Sequence, residues 1–210
     1  MLAGLLAACA LAGSPRAYDR ARMRSAAERL GTQAVAALVP LQELLQQVAA
    51  LDEQARLEPV NTWFNRRVLF RTDDEIWGEA DHWASPLELL QKGQGDCEDY
   101  AIAKYFSLLA VGTPVARLRL VYVRAQVNGN DTQAHMVLAY YPRPDAEPLI
   151  LDNLVGSVRP ASRRPDLTPV FSFNSEGLWQ GVGAQSAGDP QARLSRWRLV
   201  LARAREEGFL

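Results

Sequence analysis

Lys92-Gly93-Gln94-Gly95-Asp96-Cys97-Glu98-Asp99-Tyr100-Ala101-Ile102-Ala103-Lys104-Tyr105-Phe106 sets the architecture of this chain. Its two glycines mark a turn, Asp96 is a residue type that caps helices, and the apolar run after it predicts a helix to Val111, closed by Gly112 with Pro114 just beyond. Cys97 is then the first residue of a central helix, where the opening main-chain amides have no partner within the helix. Downstream the period changes to two. Leu118 to Val127 alternates, Asn128-Gly129-Asn130-Asp131 turns, and Ala134 to Tyr141 returns with His135, Val137, Ala139 and Tyr141 on one face. Leu149 to Asn153 reads as a third strand. Val170 to Phe173 with Leu178-Trp179 reads as a further hairpin around Asn174 to Gly177.

Upstream, apolar residues recur at helical spacing from Met23 through Leu51, with Gly31 and Pro40 as expected breaks. Asn61 to Trp83 is aromatic-rich and reads as irregular, and Ser85-Pro86 opens a short helix through Leu90. In the tail, Arg193 to Leu210, a strand followed by a helix is expected. Helices, a central helix and then an antiparallel meander make an α+β fold. The organisation read from these signals is a leader over 1–12, a helical region over 13–57 and a core over 58–210.

Composition narrows the function. Of 210 residues, 23 are Lys or Arg and 24 are Asp or Glu, so the net charge of -1 speaks against a protein built to hold nucleic acid. The apolar fraction of 48% suffices for a sizeable core. The two cysteines, Cys9 and Cys97, exclude a disulfide scaffold and a four-cysteine zinc site. Leu2 to Ala12 is far shorter than the ~20 apolar residues of a membrane span and reads as a signal-peptide core, with Ala10-Leu11-Ala12 as the cleavage site. Leu6-Ala7-Ala8-Cys9 offers a lipid-anchor alternative. Soluble export would remove Cys9 and leave Cys97 as a lone thiol in an oxidising compartment.

Cys97 at a helix start, His135 early in one strand and Asp152 at the end of the next are the parts of a thiol hydrolase: nucleophile, base and base-orienting carboxylate. The helix terminus and a neighbouring imidazolium favour the thiolate, and amides at the helix start, with Gln94 or Gln91 as possible donors, suit an oxyanion. Each residue also has a structural reading: a buried thiol, a satisfied core histidine, a turn aspartate and a loop glutamine. The charges around Cys97 pose a difficulty. Two carboxylates at about 6 Å in an effective dielectric of about 20 each oppose ionisation by roughly 2.8 kcal/mol, whereas the helix terminus returns about 0.3 to 2 kcal/mol. A cation on Asp96, Glu98 and Asp99 resolves the conflict, and hard oxygen donors suit Ca²⁺, with Asp81, or Asp73 and Asp74, contributing from the preceding segment. The alternative is that Asp96 caps the helix and Glu98 and Asp99 favour its N-terminus.

Gly95-Asp96-Cys97-Glu98-Asp99-Tyr100 with the residues through Phe106 resembles the bacterial transglutaminase-like cysteine proteases of the LapG type. So do Asp81-His82-Trp83-Ala84-Ser85-Pro86-Leu87-Glu88, Ala134-His135-Met136-Val137-Leu138-Ala139-Tyr140-Tyr141, Leu149-Ile150-Leu151-Asp152-Asn153 and Phe171-Ser172-Phe173-Asn174. The likeness spans roughly residues 55 to 180. It implies a papain-like, transglutaminase-like fold and a periplasmic, calcium-dependent endopeptidase with Cys97 as nucleophile, His135 as base and Asp152 as orienter. The family's flanking acidic residues map onto Asp96 and Glu98, with Asp99 following. The resemblance further implies a large surface adhesin as substrate, cut near its N-terminus at paired alanines so that the cell leaves its biofilm. It also implies sequestration by the periplasmic domain of an inner-membrane cyclic di-GMP receptor. His82 stands where an aromatic residue is expected in relatives. Two other functions use the same residues: acyl transfer to an amine, as in transglutaminases, and a calcium-stabilised binding module with an inert thiol.

Overall fold

The computed structural model describes residues 18–129 and 131–210, and of residue 128 only the backbone. The leader over 1–12, with Cys9, and Asn130 of the expected turn lie outside the described residues. Two helices open the described chain, α1 (Arg20–Leu30) and α2 (Thr32–Ala49). Gly31 separates them at φ +114°, a conformation that a side chain would strain. Pro40 does not break α2, contrary to the expectation. A proline in a helix interior costs about 3 kcal/mol, but Leu38, Leu41, Leu44, Leu45 and Val48 bury one continuous stripe on either side of it, and that burial outweighs one lost hydrogen bond.

The segment expected to be irregular contains two helices, α3 (Leu57–Arg67) and α4 (Asp73–Trp77), with β1 (Leu69–Phe70) between them. Its aromatic residues hid the period. In α3, Leu57, Val60, Asn61 and Phe64 form the buried face, and one of the four is polar. Next come α5 (Pro86–Lys92), opened by a reciprocal Ser85–Glu88 capping box, then β2 (Gln94–Gly95), parallel to β1, and α6 (Cys97–Ala110). Every residue of α6 from Asp99 to Ala110 is buried, the polar Asp99, Lys104 and Ser107 among them.

The sheet lies beyond α6: β3 (Leu118–Asn128), β4 (Asp131–Tyr140), β5 (Leu149–Leu151), β6 (Arg159–Pro160), β7 (Leu167–Phe173), β8 (Leu178–Gln180) and β9 (Ser186–Gly188). Their order is β6-β5-β4-β3-β7-β8-β9, with neighbours antiparallel. Alternation divides the side chains between two faces. Leu118, Leu120, Met136, Leu138 and Tyr140 join the helices in the main core, and Val121, Val123, Val137, Ala139 and Tyr141 form a smaller cluster on the outer face. The tail carries α7 (Pro190–Arg193) and α8 (Ser195–Glu206) and no strand after Arg193. Trp197, Val200, Leu201 and Ala204 fall on one helical face and return to the core beside Phe106 and Phe173. The fold is thus α+β, as the sequence indicates.

Candidate active site

Cys97 takes its place from α6. Gly93, at φ +62°, ends α5 in a left-handed turn and hands the chain to Gln94–Gly95, whose pairing with Leu69–Phe70 aims it at the next helix. Gly95 lies so close to its neighbours that a Cβ there would come within 2.5 Å of Leu89 Cδ1 and 2.8 Å of Asp99 Oδ2. The glycine is what admits the Asp99 carboxylate behind the nucleophile.

The register of β4 and β5 brings His135 and Asp152 together. Leu138 faces Leu151 and Ala139 faces Ile150, so Asp152, the next residue, falls opposite Val137. His135 is its diagonal neighbour on the same face, within side-chain reach. His135 Nε2 meets Asp152 Oδ1 at 2.8 Å, and both side chains are almost fully buried.

Asp152 is held from several directions. Arg164 Nη2 donates to its Oδ2 at 2.7 Å, the amides of Asn153 and Leu154 donate to Oδ1 at 2.6 and 3.1 Å, and Asn65 Nδ2 donates to its main-chain oxygen at 2.7 Å. Burial raises its pKa, but the hydrogen bond and charge of His135, with the Leu154 amide and Arg164, more than compensate and hold it at about 2. An ionised acceptor fixes the tautomer: Nε2 of His135 donates to it, leaving Nδ1 as the basic nitrogen. Behind Asn65 stands Lys104, fully buried, whose Nζ donates to Asn65 Oδ1 at 2.7 Å. Burial lowers the Lys104 pKa to about 7, against the pull of Asp152. The sequence gives no sign of the Asn65, Lys104 and Arg164 roles, because each depends on which side chain a distant segment presents.

Cys97, His135 and Met136 line one cleft of about 340 Å³ together with Tyr122, Ala134, Ala80, Asp81 and Trp83. Trp83 stacks on Phe173 and Tyr122 on Phe171, at 5.7 and 5.1 Å between ring centres. Of the three tryptophans upstream of the helix, Trp83 reaches the cleft, Trp77 stacks on His82, and Trp63 packs edge-on against Phe64. The Cys97 thiol donates to Glu98 Oε2 at 3.1 Å rather than to His135. Gln91 donates its amide to Leu30 O at 2.7 Å and is no oxyanion donor.

The acidic residues converge as the electrostatic argument requires. Asp73, Asp96 and Asp99 place carboxylate oxygens within 4.8 Å of one another, and so do Asp73, Asp81 and Glu98. Asp96 occupies the position before α6 but makes no capping hydrogen bond. Its Oδ1, with Asp73 Oδ1 and Asp99 Oδ2, is buried without a partner. Burial first, then Glu98, raises the Asp96 pKa to about 9. Burial also raises Glu98 and Asp99, the latter reinforced by Asp96. The Cys97 thiol is pushed far up by burial, then by Glu98 and Asp96, and the Met136 main-chain amide offsets this only in part. Buried carboxylates left without donors are costly, and a hard dication with several oxygen ligands is the species that satisfies them. The residues therefore fit calcium. Asp73 is central to the cluster, and Asp74 belongs to neither group of converging carboxylates.

A family model of bacterial transglutaminase-like cysteine proteinases matches residues 40–176. The chain belongs to that family. Among solved structures it is similar to Legionella pneumophila LapG, with 39% identity, a TM-score of 0.73, and coverage of 87% of this chain and 96% of that one. The calcium-bound form of that protein matches at a TM-score of 0.74 and the EGTA-treated form at 0.75, both at 39% identity. None of the curated proteins matches the chain. Family membership makes this transglutaminase-like proteinase a cysteine peptidase. Among the described residues, no helix is long and apolar enough to cross a membrane.

Proposed function

We propose that this cysteine peptidase is a calcium-dependent endopeptidase in which Cys97 is the nucleophile, His135 the general base and acid, and Asp152 the residue that orients His135. The observation that carries the reading is His135, paired with Asp152 at 2.8 Å and lining one cleft with Cys97 at the start of α6. His135 Nδ1 takes the thiol proton, the sulfur attacks the scissile carbonyl, and the amide at the start of α6 faces the developing oxyanion. The protonated imidazole, steadied by Asp152, then gives its proton to the leaving amine, and water releases the acyl group. Calcium held by Asp73, Asp81, Asp96, Glu98 and Asp99 would supply the positive charge that lets a thiolate exist among these carboxylates. Arg164, with Asn65 and Lys104, keeps Asp152 fixed.

The substrate in this reading is the N-terminal region of a large surface adhesin, cut at paired alanines so that cells leave a biofilm. Trp83 and Tyr122 line the cleft and are backed by Phe173 and Phe171, and in this reading these aromatic rings favour small side chains at the cut. The location is the periplasm, and the regulator is the periplasmic domain of an inner-membrane cyclic di-GMP receptor that withholds the enzyme. A timed digest of a candidate adhesin N-terminus tests the chemistry. Cleavage is expected with calcium, is lost in EGTA and returns on recalcification, and Cys97→Ala abolishes it while far-UV circular dichroism is unchanged. Full turnover by Cys97→Ala would end the reading. A primary amine in the same digest distinguishes hydrolysis from acyl transfer, since an amine adduct forms only in the second case.

A further inference from the structure

The sheet leaves one stretch of edge open beside the nucleophile. Tyr141 N donates to Arg117 O at 2.8 Å, so the odd-numbered residues of β4 bond to β3 and the even-numbered ones turn their main-chain groups the other way. The register is continuous from Tyr140–Leu118 to Thr132–Gln126, and the rule therefore holds along that length. On the outward side β5 covers only Leu138 to Tyr140. Met136 is buried and lines the cleft that holds Cys97. That leaves Thr132 and Ala134. Both are exposed, and among the described residues no hydrogen bond reaches their outward N–H and C=O groups. Ala134 also lines the cleft that holds Cys97.

We infer that the free edge of β4 at Thr132 and Ala134 receives the polypeptide substrate as an added β-strand, which leads the chain past Met136 to Cys97. The inference rests on the peptidase reading above. An open edge is ordinarily blunted by charge, proline or a covering loop, and here the last residue before the site is an alanine. The occupant follows from the continuity of edge and cleft: a chain paired with Thr132 and Ala134 already lies against the nucleophile's wall, in the extended form a peptidase needs. Main-chain pairing reads no sequence, so selectivity falls to side-chain pockets such as the aromatic walls.

The test is an N-methyl scan of a synthetic peptide spanning a paired-alanine bond, cut by the unsubstituted enzyme in calcium. Methylation at alternate positions on one side of the cut should lower kcat/KM by roughly three- to tenfold per lost bond, and the positions between should be tolerated. Thr132→Pro and Ala134→Pro each delete one outward donor and leave the β3 ladder intact. Both should raise KM for the peptide, while alkylation of Cys97 by iodoacetamide shows that the site still forms. A scan without alternation overturns the inference, even where a proline variant fails to fold, and so do proline variants with the parent KM. If the unsubstituted enzyme cuts no peptide, the peptidase reading falls and this inference with it. If it cuts and the scan is flat, only the inference falls.

Discussion

At Asp152 two buried partners compete for one carboxylate, and the arrangement resolves the competition by giving each its own oxygen: His135 takes Oδ1 and Arg164 takes Oδ2. The folded pKa of about 2 lies below the ordinary aspartate value of about 3.9. The associated stability is fully present above about pH 4 and is lost as the pH falls towards 2, on the order of 2 kcal/mol in all. Urea midpoints at pH 5 and pH 3 should show that loss, and Asp152→Asn should flatten it. Arg164→Met removes one partner from an almost fully buried pair, which costs about 3 to 5 kcal/mol and should lower kcat more than it raises KM. An unchanged melting temperature would contradict this account of Arg164. Cys97 and the acidic residues around it are conspicuous in the sequence because they are contiguous. Arg164 is not, since it is one of two adjacent arginines in a loop, and only the fold selects it.

At the scale of elements, α6 and the turn before it set the nucleophile. Gly95→Ala places a methyl group against Leu89 and the Asp99 carboxylate. We expect a loss of about 1 to 3 kcal/mol, together with a weaker calcium response, because Asp99 must move. A variant with the parent melting temperature and calcium midpoint, measured by calcium-dependent thermal shift, would show that the close approach is immaterial. The helix from Cys97 and the β3–β4 hairpin were legible from apolar period and turn residues, both local signals. Helices α3 and α4 were not, because in α3 the polar Asn61 shares the buried face with Leu57, Val60 and Phe64 and the apolar stripe is incomplete. Pro40 misled in the opposite direction: a breaker by local rules, it is carried inside α2 by packing.

At the scale of the whole molecule, the acidic cluster joins two separate parts of the chain, Asp73 and Asp81 on one side and Asp96, Glu98 and Asp99 on the other. An ion bound between them ties those parts together only in the folded state, so calcium should raise stability by mass action. At about a hundredfold excess over its dissociation constant the gain is about 2.7 kcal/mol, or roughly 5 to 10 °C for a chain of this size. Differential scanning fluorimetry with calcium and with EGTA measures it, and Asp73→Asn should remove most of the shift. A melting temperature indifferent to calcium would remove the ion from the account. Caps, turns and apolar period act over a few residues, so the α+β order, the placement of Cys97 at a helix start and the crowding of charge around it are all written in the linear chain. The tertiary structure alone decided that Asp73 completes the acidic cluster and that Arg164 clamps Asp152. It also decided that β5 stops short and leaves an edge of β4 open beside the sulfur. Those relations join residues far apart in the chain, where packing and register set the distances and no local pattern records them.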